Sequence, residues 1–349
     1  MDLTSIIGRY RIRFDQQYGS RTTRQINRAI DAVLACRSER YGEMRLHCSP
    51  CDYQQSCFHA CGHRSCHRCQ HHDTTKWLER QAQKLLPVEY FMVTFTLPYE
   101  LRALTWHHQK SLYATLFECA VATLKQFGIN DKKLAEELAM TAVLHTHSRR
   151  LDYHPHVHII VPGGCLNKKR QQWKKLKGQY LFNEFALATV FRAKFLAAVR
   201  HAGFTLPDNI PAKWVVDCQH VGRGLPAIQY LSRYLYRGVV SEKNIIADDG
   251  THVTFRYLDS TTGTWKTRTV KGEYFIWLIF QHVLPKGFRR VRDYGFLHGN
   301  AKSTLQRIQT LLNVLLPKLN KTPRPVITCK RCGNPMAIIA FIPPAWRAG

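Results

Sequence analysis

The sequence predicts an α+β fold with a central antiparallel β-sheet, preceded by a small helical segment that is rich in cysteine. Short β-branched and aromatic runs bounded by proline or glycine predict strands, and longer segments with apolar residues at helical spacing predict helices. Two of the predicted strands are separated only by a polar turn, which predicts an antiparallel hairpin. A Cys/His-rich segment at residues 47–72 lies ahead of these strands and favours metal binding over disulfides.

The predicted helices and strands follow one another along the chain without an internal repeat. Thr74 or Thr75 is the expected N-cap of a helix that Pro87 ends. The predicted helices cover residues 22–37, 74–86, 109–127, 181–203 and 225–237. The predicted strands cover residues 90–97, 140–146, 157–161, 214–216, 252–257 and 265–270, and an aromatic segment spans residues 273–284.

These elements predict three consecutive regions. Residues 1–87 form a helical metal-binding domain, and residues 88–240 form the domain of the central sheet. Residues 241–349 form a basic C-terminal region that contains the pair Cys329-x-x-Cys332.

The composition indicates a nucleic-acid-binding protein. The chain has 51 Lys and Arg against 24 Asp and Glu, a net charge of +27. Such a surface attracts polyanions, although charge alone gives only non-specific affinity. No charge-free apolar stretch of about 18 residues and no secretory signal is present, so we expect a cytoplasmic protein that acts at the nucleoid. The sequence has no GxxxxGK[ST] phosphate loop, which argues against a fused ATPase.

Five histidines between His145 and His158 predict a second metal site. Alternate residues of a strand face the same way, so His156 and His158 share a face. If residue 147 pairs with 156, and 145 with 158, His145 and His147 lie on that face too. One sheet face then presents up to four imidazoles. His154 precedes Pro155, outside the predicted strand, and is expected to be a bystander.

Two tyrosines on a predicted helix suit a reaction with two nucleophilic steps. Tyr230 and Tyr234 are four residues apart and therefore lie one turn apart on one helix face, whereas Tyr236 points elsewhere. A tyrosine pair at this spacing alone usually packs in a core. Beside a histidine metal site in a basic chain, the pair indicates phosphoester cleavage by tyrosine oxygen. Arg233 and Arg237 are candidate phosphate contacts, with a solvated helix face as the alternative.

A basic stretch follows the histidine strand. Six of the ten residues from Lys168 to Lys177 are basic and none is acidic, which predicts contact with the DNA backbone. Its basic residues are Lys168, Lys169, Arg170, Lys174, Lys175 and Lys177.

The motifs together resemble the HUH transposases of the insertion-sequence ninety-one family, where HUH denotes His, a hydrophobic residue and His. The resemblance extends from about residue 25 to 342, through the segments CGHRSCHRCQ, YFMVTFTLP, LHTH…HPHVHIIVPGG, YLSRYLYR, HVLPKGFRRVRDYGFL and CKRCGNPMAIIAFI. It implies an HUH endonuclease domain in which His156 and His158 bind a divalent cation, Mg²⁺ or Mn²⁺. His145 is the expected third ligand because its LHT context matches the family, and His147 departs from the family pattern.

The same resemblance implies the reaction. Tyr230 and Tyr234 would be the nucleophiles that cut single-stranded DNA at transposon ends. A 5′-phosphotyrosine intermediate and strand transfer by a rolling-circle route would follow. The alternatives are a plasmid or phage replication initiator with the same chemistry and a non-catalytic zinc-ribbon DNA-binding regulator. The oligomeric state stays open.

The cysteines predict structural zinc. Cys48-x-x-Cys51 and Cys66-x-x-Cys69 have the spacing of a closed tetrahedral site, and Cys61, which fits the family pattern, could replace one of the four. Further Cys and His residues leave room for a second ion: Cys36, His47, Cys57, His59, His63, His71 and His72. Cys329 and Cys332 need two more ligands, from the N-terminal cluster or from a partner chain. Reduced free cysteines are the alternative.

Overall fold

The computed structural model describes residues 2–69, 71–167, 169–226, 228–229, 239–259, 261–315 and 326–344. The chain divides into two compact units, each assembled from separate stretches of sequence. The first comprises residues 1–73, 236–283 and 318–349, and the second comprises residues 74–235 and 284–317. None of the helices in these described ranges is both long and apolar enough to span a bilayer.

The described helices are α1 Leu3–Tyr18, α2 Arg24–Leu34, α3 His71–Ala82, α4 Arg102–His107, α5 Gln109–Asn130, α6 Glu184–His201, α7 Gly272–Phe280 and α8 Lys302–Leu311. The described strands are β1 Glu43–Cys48, β2 Tyr53–Phe58, β3 Glu89–Thr96, β4 Met140–His147, β5 Tyr153–Pro162, β6 Gly164–Asn167, β7 Gln172–Lys175, β8 Val216–Arg223, β9 Ile245–Asp248, β10 His252–Leu258, β11 Trp265–Lys271, β12 Val291–Tyr294 and β13 Ala337–Ile342.

A five-stranded antiparallel sheet organises the second unit, with strand order β12-β4-β5-β3-β8. Alternate residues of its three central strands are fully buried and form one apolar cluster with α5 and α6. Phe95 of β3 meets Phe191 of α6 edge to face, with ring centroids 4.9 Å apart. Because side chains alternate along a strand, the neighbouring residues, among them the histidines, lie on the opposite face.

In its described residues, the first unit combines the helices α1, α2 and α7 with two small sheets. The sheets have strand orders β13-β1-β2 and β11-β10-β9. Helix α1 begins at an N-cap, because the Asp2 carboxylate accepts a hydrogen bond of 3.0 Å from the Ser5 N–H. Helix α1 packs against α7. A Cβ added at Gly272 of α7 would lie 2.3 Å from the Tyr10 ring, so this close approach requires glycine.

The α+β fold with a central antiparallel sheet is confirmed, and most predicted elements agree with the structure to within a few residues. Strand β8 begins at Val216 and continues to Arg223, beyond the predicted 214–216. The predicted helix over residues 225–237 lies mainly outside the described residues. Helix α1 was not predicted, although its buried residues recur at helical spacing: Leu3, Ile6, Ile7, Tyr10, Phe14 and Tyr18.

The compact units differ from the three consecutive regions that the sequence predicts. Residues 241–349 do not form a region of their own. Strand β13 from the C-terminal end pairs with β1, whereas β12 adds an edge strand to the central sheet through β4. Such long-range strand pairing leaves no local pattern in the sequence from which a linear division could be drawn.

Candidate metal centres and DNA-binding surface

Strands β4 and β5 bring three histidines of the second unit together. His145 lies opposite His156, and Val143 lies opposite His158. One ring nitrogen from each of His145, His156 and His158 lies within 4.8 Å of the others. All three side chains are buried, with exposures of 4%, 9% and 8%. The sheet thus presents three convergent imidazoles that are largely shielded from solvent.

The predicted register, with residue 147 opposite 156, is wrong by two residues. A bulge between His145 and His147 instead puts His147 opposite Tyr153. The turn at residues 148–152 sets this pairing, because the Ser148 hydroxyl accepts the Arg150 and Asp152 N–H groups. A two-residue shift preserves the face of each side chain, so His145 still lies beside His156 and His158. His147 lies outside the group of three.

Hydrogen bonds orient two of the imidazoles. His156 donates from Nδ1 to the carbonyl oxygen of His154 at 2.7 Å, so the proton is on Nδ1 and Nε2 keeps its lone pair. His158 Nδ1 lies 2.9 Å from the Thr94 hydroxyl on β3. Histidine metal ligands are commonly held in this way by their second nitrogen.

Burial keeps these histidines neutral at pH 7. Burial lowers the pKa of His145 and His156 well below the usual value, and neighbouring histidines lower it further. Burial likewise lowers the pKa of His158 to about 4. A neutral imidazole keeps the lone pair that a cation needs, whereas three imidazolium groups at this spacing would repel one another.

The donor set fits a divalent cation. Three neutral nitrogen ligands leave coordination positions for oxygen atoms of a substrate, as in catalytic sites with three protein ligands. Imidazole prefers transition-metal ions to Mg²⁺, which prefers oxygen ligands.

Two residues near the cluster were not singled out from the sequence. Thr94 faces His158 because Phe91, Val93 and Phe95 of β3 point into the core, an alternation visible in the segment YFMVTFTLP. Arg290 precedes β12, and its carbonyl accepts the Leu144 N–H at 2.9 Å. Burial is the main cause of the lowered pKa of His147, and the positive charge of Arg290 lowers it further. Arg290 is therefore a candidate phosphate contact.

His154 is part of β5, contrary to its predicted position outside the strand. Arg102 donates from Nη2 to its Nδ1, and its backbone carbonyl orients His156. His154 therefore positions a neighbouring imidazole and is more than a bystander, although it is not one of the three that converge.

The predicted nucleophiles, Tyr230 and Tyr234, lie outside the described residues, as do Arg233 and Arg237. Among the described tyrosines, Tyr153 on β5 is poorly suited to attack. Its hydroxyl lies 2.6 Å from that of Tyr113, and burial raises the pKa of Tyr153 above the usual value. A phenol that holds its proton this strongly is a weak nucleophile.

Strands β6 and β7 form a hairpin that follows β5 in the same unit, and the described part of the basic stretch includes β7 and the residues on either side of it. We call its four solvent-exposed basic residues the basic hairpin: Lys169, Arg170, Lys175 and Lys177. Lys174 differs, because its Nζ donates to the Leu134 carbonyl at 2.8 Å and its side chain is half-buried. Lys168 lies outside the described residues.

Eight of the nine cysteines in the first unit form two groups of four. This grouping differs from the predicted pairing of Cys48 and Cys51 with Cys66 and Cys69. Cys48 and Cys51 meet Cys329 and Cys332, whereas Cys66 and Cys69 meet Cys36 and Cys61. Cys61 thus joins Cys66 and Cys69 in one group, and Cys36 completes it. The CxxC spacing identifies pairs of ligands but does not determine which pairs meet, because that depends on the tertiary fold.

The sulfur positions in the group that includes Cys36 and Cys61 fit a tetrahedral zinc ion. Cys69 Sγ lies 3.5 Å from both Cys36 Sγ and Cys61 Sγ. Zinc–sulfur bonds of about 2.3 Å place the sulfurs of a tetrahedral site roughly 3.8 Å apart. The observed distances are close to this value and far from the disulfide bond length of about 2.05 Å. The nearby residues His63 and Cys57 are not in this group.

Two family models match this chain. A transposase zinc-binding domain matches residues 6–97, and a putative transposase domain matches residues 139–304. The zinc-binding match contains Cys36, Cys61 and both N-terminal CxxC pairs, and the transposase match contains the three converging histidines.

Curated relatives extend the same likeness across the chain. The putative transposase y4qJ of Sinorhizobium fredii is 30% identical over 349 residues, 93% of this chain and 87% of the relative. The transposase for insertion sequence element IS801 of Pseudomonas savastanoi is 26% identical over 296 residues, 77% of this chain and 69% of the relative.

Solved structures show a weaker likeness. The metal-bound complex of the conjugative relaxase TrwC with oriT DNA has a TM-score of 0.29 and 14% identity, and the match covers 66% of this chain and 74% of that one. Together the family models and curated relatives settle the affiliation: the chain belongs to the insertion-sequence ninety-one family of transposases, which carry an N-terminal zinc-binding domain.

Proposed function

We propose that this chain cuts and rejoins single-stranded DNA at the ends of a transposable element, by rolling-circle transposition through a 5′-phosphotyrosine intermediate. The observation that carries the proposal is the cluster of His145, His156 and His158, three buried neutral imidazoles whose ring nitrogens converge. We also propose that the protein acts at the bacterial nucleoid.

We assign the three histidines to a divalent cation, Mn²⁺ or Mg²⁺, and their nitrogen donors favour Mn²⁺. When bound, such a cation polarises a phosphate and stabilises the charge that develops on its oxygens. The chain's own residues provide the geometry. The His154 carbonyl and the Thr94 hydroxyl hold His156 and His158 in position. Arg290 contributes a positive charge close enough to lower the pKa of His147.

In the cutting step, the phenol oxygen of Tyr230 or Tyr234 attacks phosphorus and the bond from phosphorus to the 3′ oxygen breaks. The phenolic proton passes to solvent or to a nearby base, and the leaving oxygen takes up a proton as a free 3′-OH. The 5′ phosphate stays on tyrosine until a 3′-OH attacks it and reverses the exchange. No oxidant or nucleotide cofactor is required, because each phosphodiester is exchanged for another phosphodiester.

Two further features support DNA as the substrate. The net charge of +27 provides non-specific affinity, and the basic hairpin places four exposed cations directly after the histidine strand. For the zinc-binding domain we propose Cys36, Cys61, Cys66 and Cys69 as the ligands of a structural zinc ion, a reassignment from the predicted set.

Removing a histidine ligand should abolish cleavage. We expect His156→Ala and His158→Ala to lower the rate of single-strand nicking by at least about 100-fold, because charge on the transferring phosphate loses its stabilisation. DNA binding should persist, since most of the basic charge remains. His145→Ala should be nearly as damaging. Gel assays of nicking and binding measure both effects.

Exposed His107 on α4 offers a matched control, and His107→Ala should nick normally. Parent-like nicking by His156→Ala or His158→Ala would contradict the metal assignment. Greater damage from His147→Ala than from His145→Ala would show that the third ligand is misassigned.

The Thr94 hydroxyl should tune metal affinity. Thr94→Val keeps the side-chain shape but removes the contact with His158, so Mn²⁺ affinity should fall by roughly 10- to 100-fold. Electron paramagnetic resonance of free Mn²⁺ during a titration measures this change. Thr189→Val, at an exposed position on α6, is the control and should bind Mn²⁺ like the parent. Equal affinity in the two variants would remove Thr94 from the site.

The tyrosine pair should carry the covalent chemistry. We expect Tyr230→Phe and Tyr234→Phe each to keep some single nicking yet lose most transposition, because one nucleophile stays occupied until a 3′-OH releases it. The double variant should form no covalent adduct. Mass spectrometry of the trapped peptide should find the DNA 5′ end on residue 230 or 234.

Tyr236→Phe is the control for this pair and should transpose like the parent. An adduct on Tyr236, on a serine or at the DNA 3′ end would overturn the assignment. Efficient transposition by either single variant would argue for one working nucleophile.

Phosphate binding by the basic hairpin should appear in the salt dependence of DNA affinity. Lys169→Gln with Arg170→Gln should weaken binding to all single strands and reduce the slope of log K against log salt by up to about 0.7 for each cation removed. Fluorescence anisotropy at several salt concentrations measures this slope. The control pair, exposed Lys132→Gln with Lys133→Gln, should leave the slope unchanged. Equal slopes for both pairs would mean that the hairpin does not follow the DNA backbone.

A further inference from the structure

The C-terminal pair Cys329 and Cys332 lies against the N-terminal β-hairpin. Strand β13 pairs antiparallel with β1, so that Met44 faces Phe341 and His47 faces Ala337. The turn that carries the two cysteines comes immediately before β13. This pairing brings them to the end of β1, where Cys48 and Cys51 lie.

Both CxxC segments form tight turns. The Cys51 N–H donates to the Cys48 carbonyl at 3.3 Å, and Asp52 follows with a positive φ of 55°. In the second turn the Gly333 N–H donates to the Cys329 carbonyl at 2.9 Å, and Gly333 has a φ of 76°. Such turns direct the two sulfurs of each pair to the same side, so that the four thiols form a compact group.

We infer that Cys48, Cys51, Cys329 and Cys332 bind a zinc ion of their own, which joins the N-terminal hairpin to the C-terminal strand. The zinc-binding family match ends at residue 97 and does not include Cys329 and Cys332. This ion is therefore additional to the one assigned to Cys36, Cys61, Cys66 and Cys69.

The sulfur geometry favours a metal over disulfides. Cys48 Sγ lies 3.4 Å from Cys332 Sγ, and Cys51 Sγ lies 3.6 Å from Cys329 Sγ. Both distances are close to the edge of a zinc–thiolate tetrahedron, about 3.8 Å, and far from a disulfide bond of about 2.05 Å.

Hydrogen bonds to sulfur stabilise thiolates at this position. The Arg331 N–H donates to Cys329 Sγ at 3.3 Å, and the Asn334 side-chain amide donates to Cys332 Sγ at 3.5 Å. Donors of this kind surround the ligands of closed zinc sites, because they compensate the negative charge of four thiolates.

The packing around the four cysteines provides the second argument. The buried cluster at this place consists of Leu46, Cys48, Cys329 and Met336, so two of its four members are cysteines. So small an apolar core cannot hold a three-stranded sheet by itself, and a structural zinc ion supplies folding energy in such cases.

The partition of the cysteines agrees with two separate ions. Each group supplies four sulfurs, which completes a tetrahedral shell without a shared ligand. The four other cysteines, Cys57, Cys119, Cys165 and Cys218, belong to neither group. Cys57 lies close by on β2, but its sulfur accepts a hydrogen bond from the Gln55 side chain at 3.2 Å.

Metal counting on the intact chain tests the inference. Native mass spectrometry and elemental analysis of the full-length protein, purified under reducing conditions, should find two zinc ions per monomer. Cys329→Ser with Cys332→Ser should retain one zinc, and Cys66→Ser with Cys69→Ser should retain the other. Cys57→Ser is the matched control and should keep two.

Cadmium substitution gives a readout that does not depend on variants that fold poorly. The parent protein loaded with ¹¹³Cd should show two NMR signals in the range of tetrathiolate coordination. The Cys329→Ser, Cys332→Ser variant should lose one signal and keep the other.

Several outcomes would overturn the inference. The inference would be wrong if the parent chain held one zinc ion or gave a single cadmium signal. It would also be wrong if the mass of the protein were lower by four hydrogens, the mark of two disulfide bonds. Two zinc ions found only in a metal-dependent dimer would place Cys329 and Cys332 against a partner chain, and the proposed intrachain connection would then be wrong. None of these outcomes bears on the nicking chemistry, whose proposed histidine ligands lie in the other unit.

Discussion

The antiparallel pairing of β4 with β5 is the constraint on which the histidine cluster, the proposed catalytic centre, depends. Val157 and Ile159 point into the core with α5 and α6, which leaves His156 and His158 on the other face. A slip of one residue would expose these apolar side chains and bury two imidazoles in their place. The hydrophobic core therefore determines the face that carries the proposed metal ligands, and these histidines cannot change face without loss of the fold.

The sequence predicts this face correctly because the period of a strand is two residues, but it does not predict the register. The difference lies in the turn at residues 148–152, where the Ser148 hydroxyl binds two backbone N–H groups and a bulge separates His145 from His147. These contacts join one polar side chain to particular backbone groups of the turn. A pattern of apolar and polar residues carries no information about them.

The cysteines show a different limit. Local spacing identifies each CxxC turn, because the turn and its two sulfurs are made by neighbouring residues. Which pairs meet depends on the pairing of β13 with β1, in which Met44 lies opposite Phe341, 297 residues further along the chain. Cys36 belongs to no CxxC pair, yet the end of α2 brings it to Cys66. Contacts of this range follow from the tertiary fold alone.

The number of protein ligands separates the two kinds of metal centre. Four cysteines fill a tetrahedral shell, so an ion held by either cysteine group has no position left for a substrate and acts only on stability. Three histidine ligands would leave positions open, and hydrogen bonds orient two of these imidazoles, His156 and His158, before any ion or DNA arrives. This arrangement costs free energy, because three polar imidazoles are buried away from water. Burial of apolar side chains in the core of the central sheet offsets that free energy. The proposed histidine site could therefore exchange its cation and substrate while the fold around it stays intact, whereas the proposed structural ions could not leave without loosening the strands that they connect.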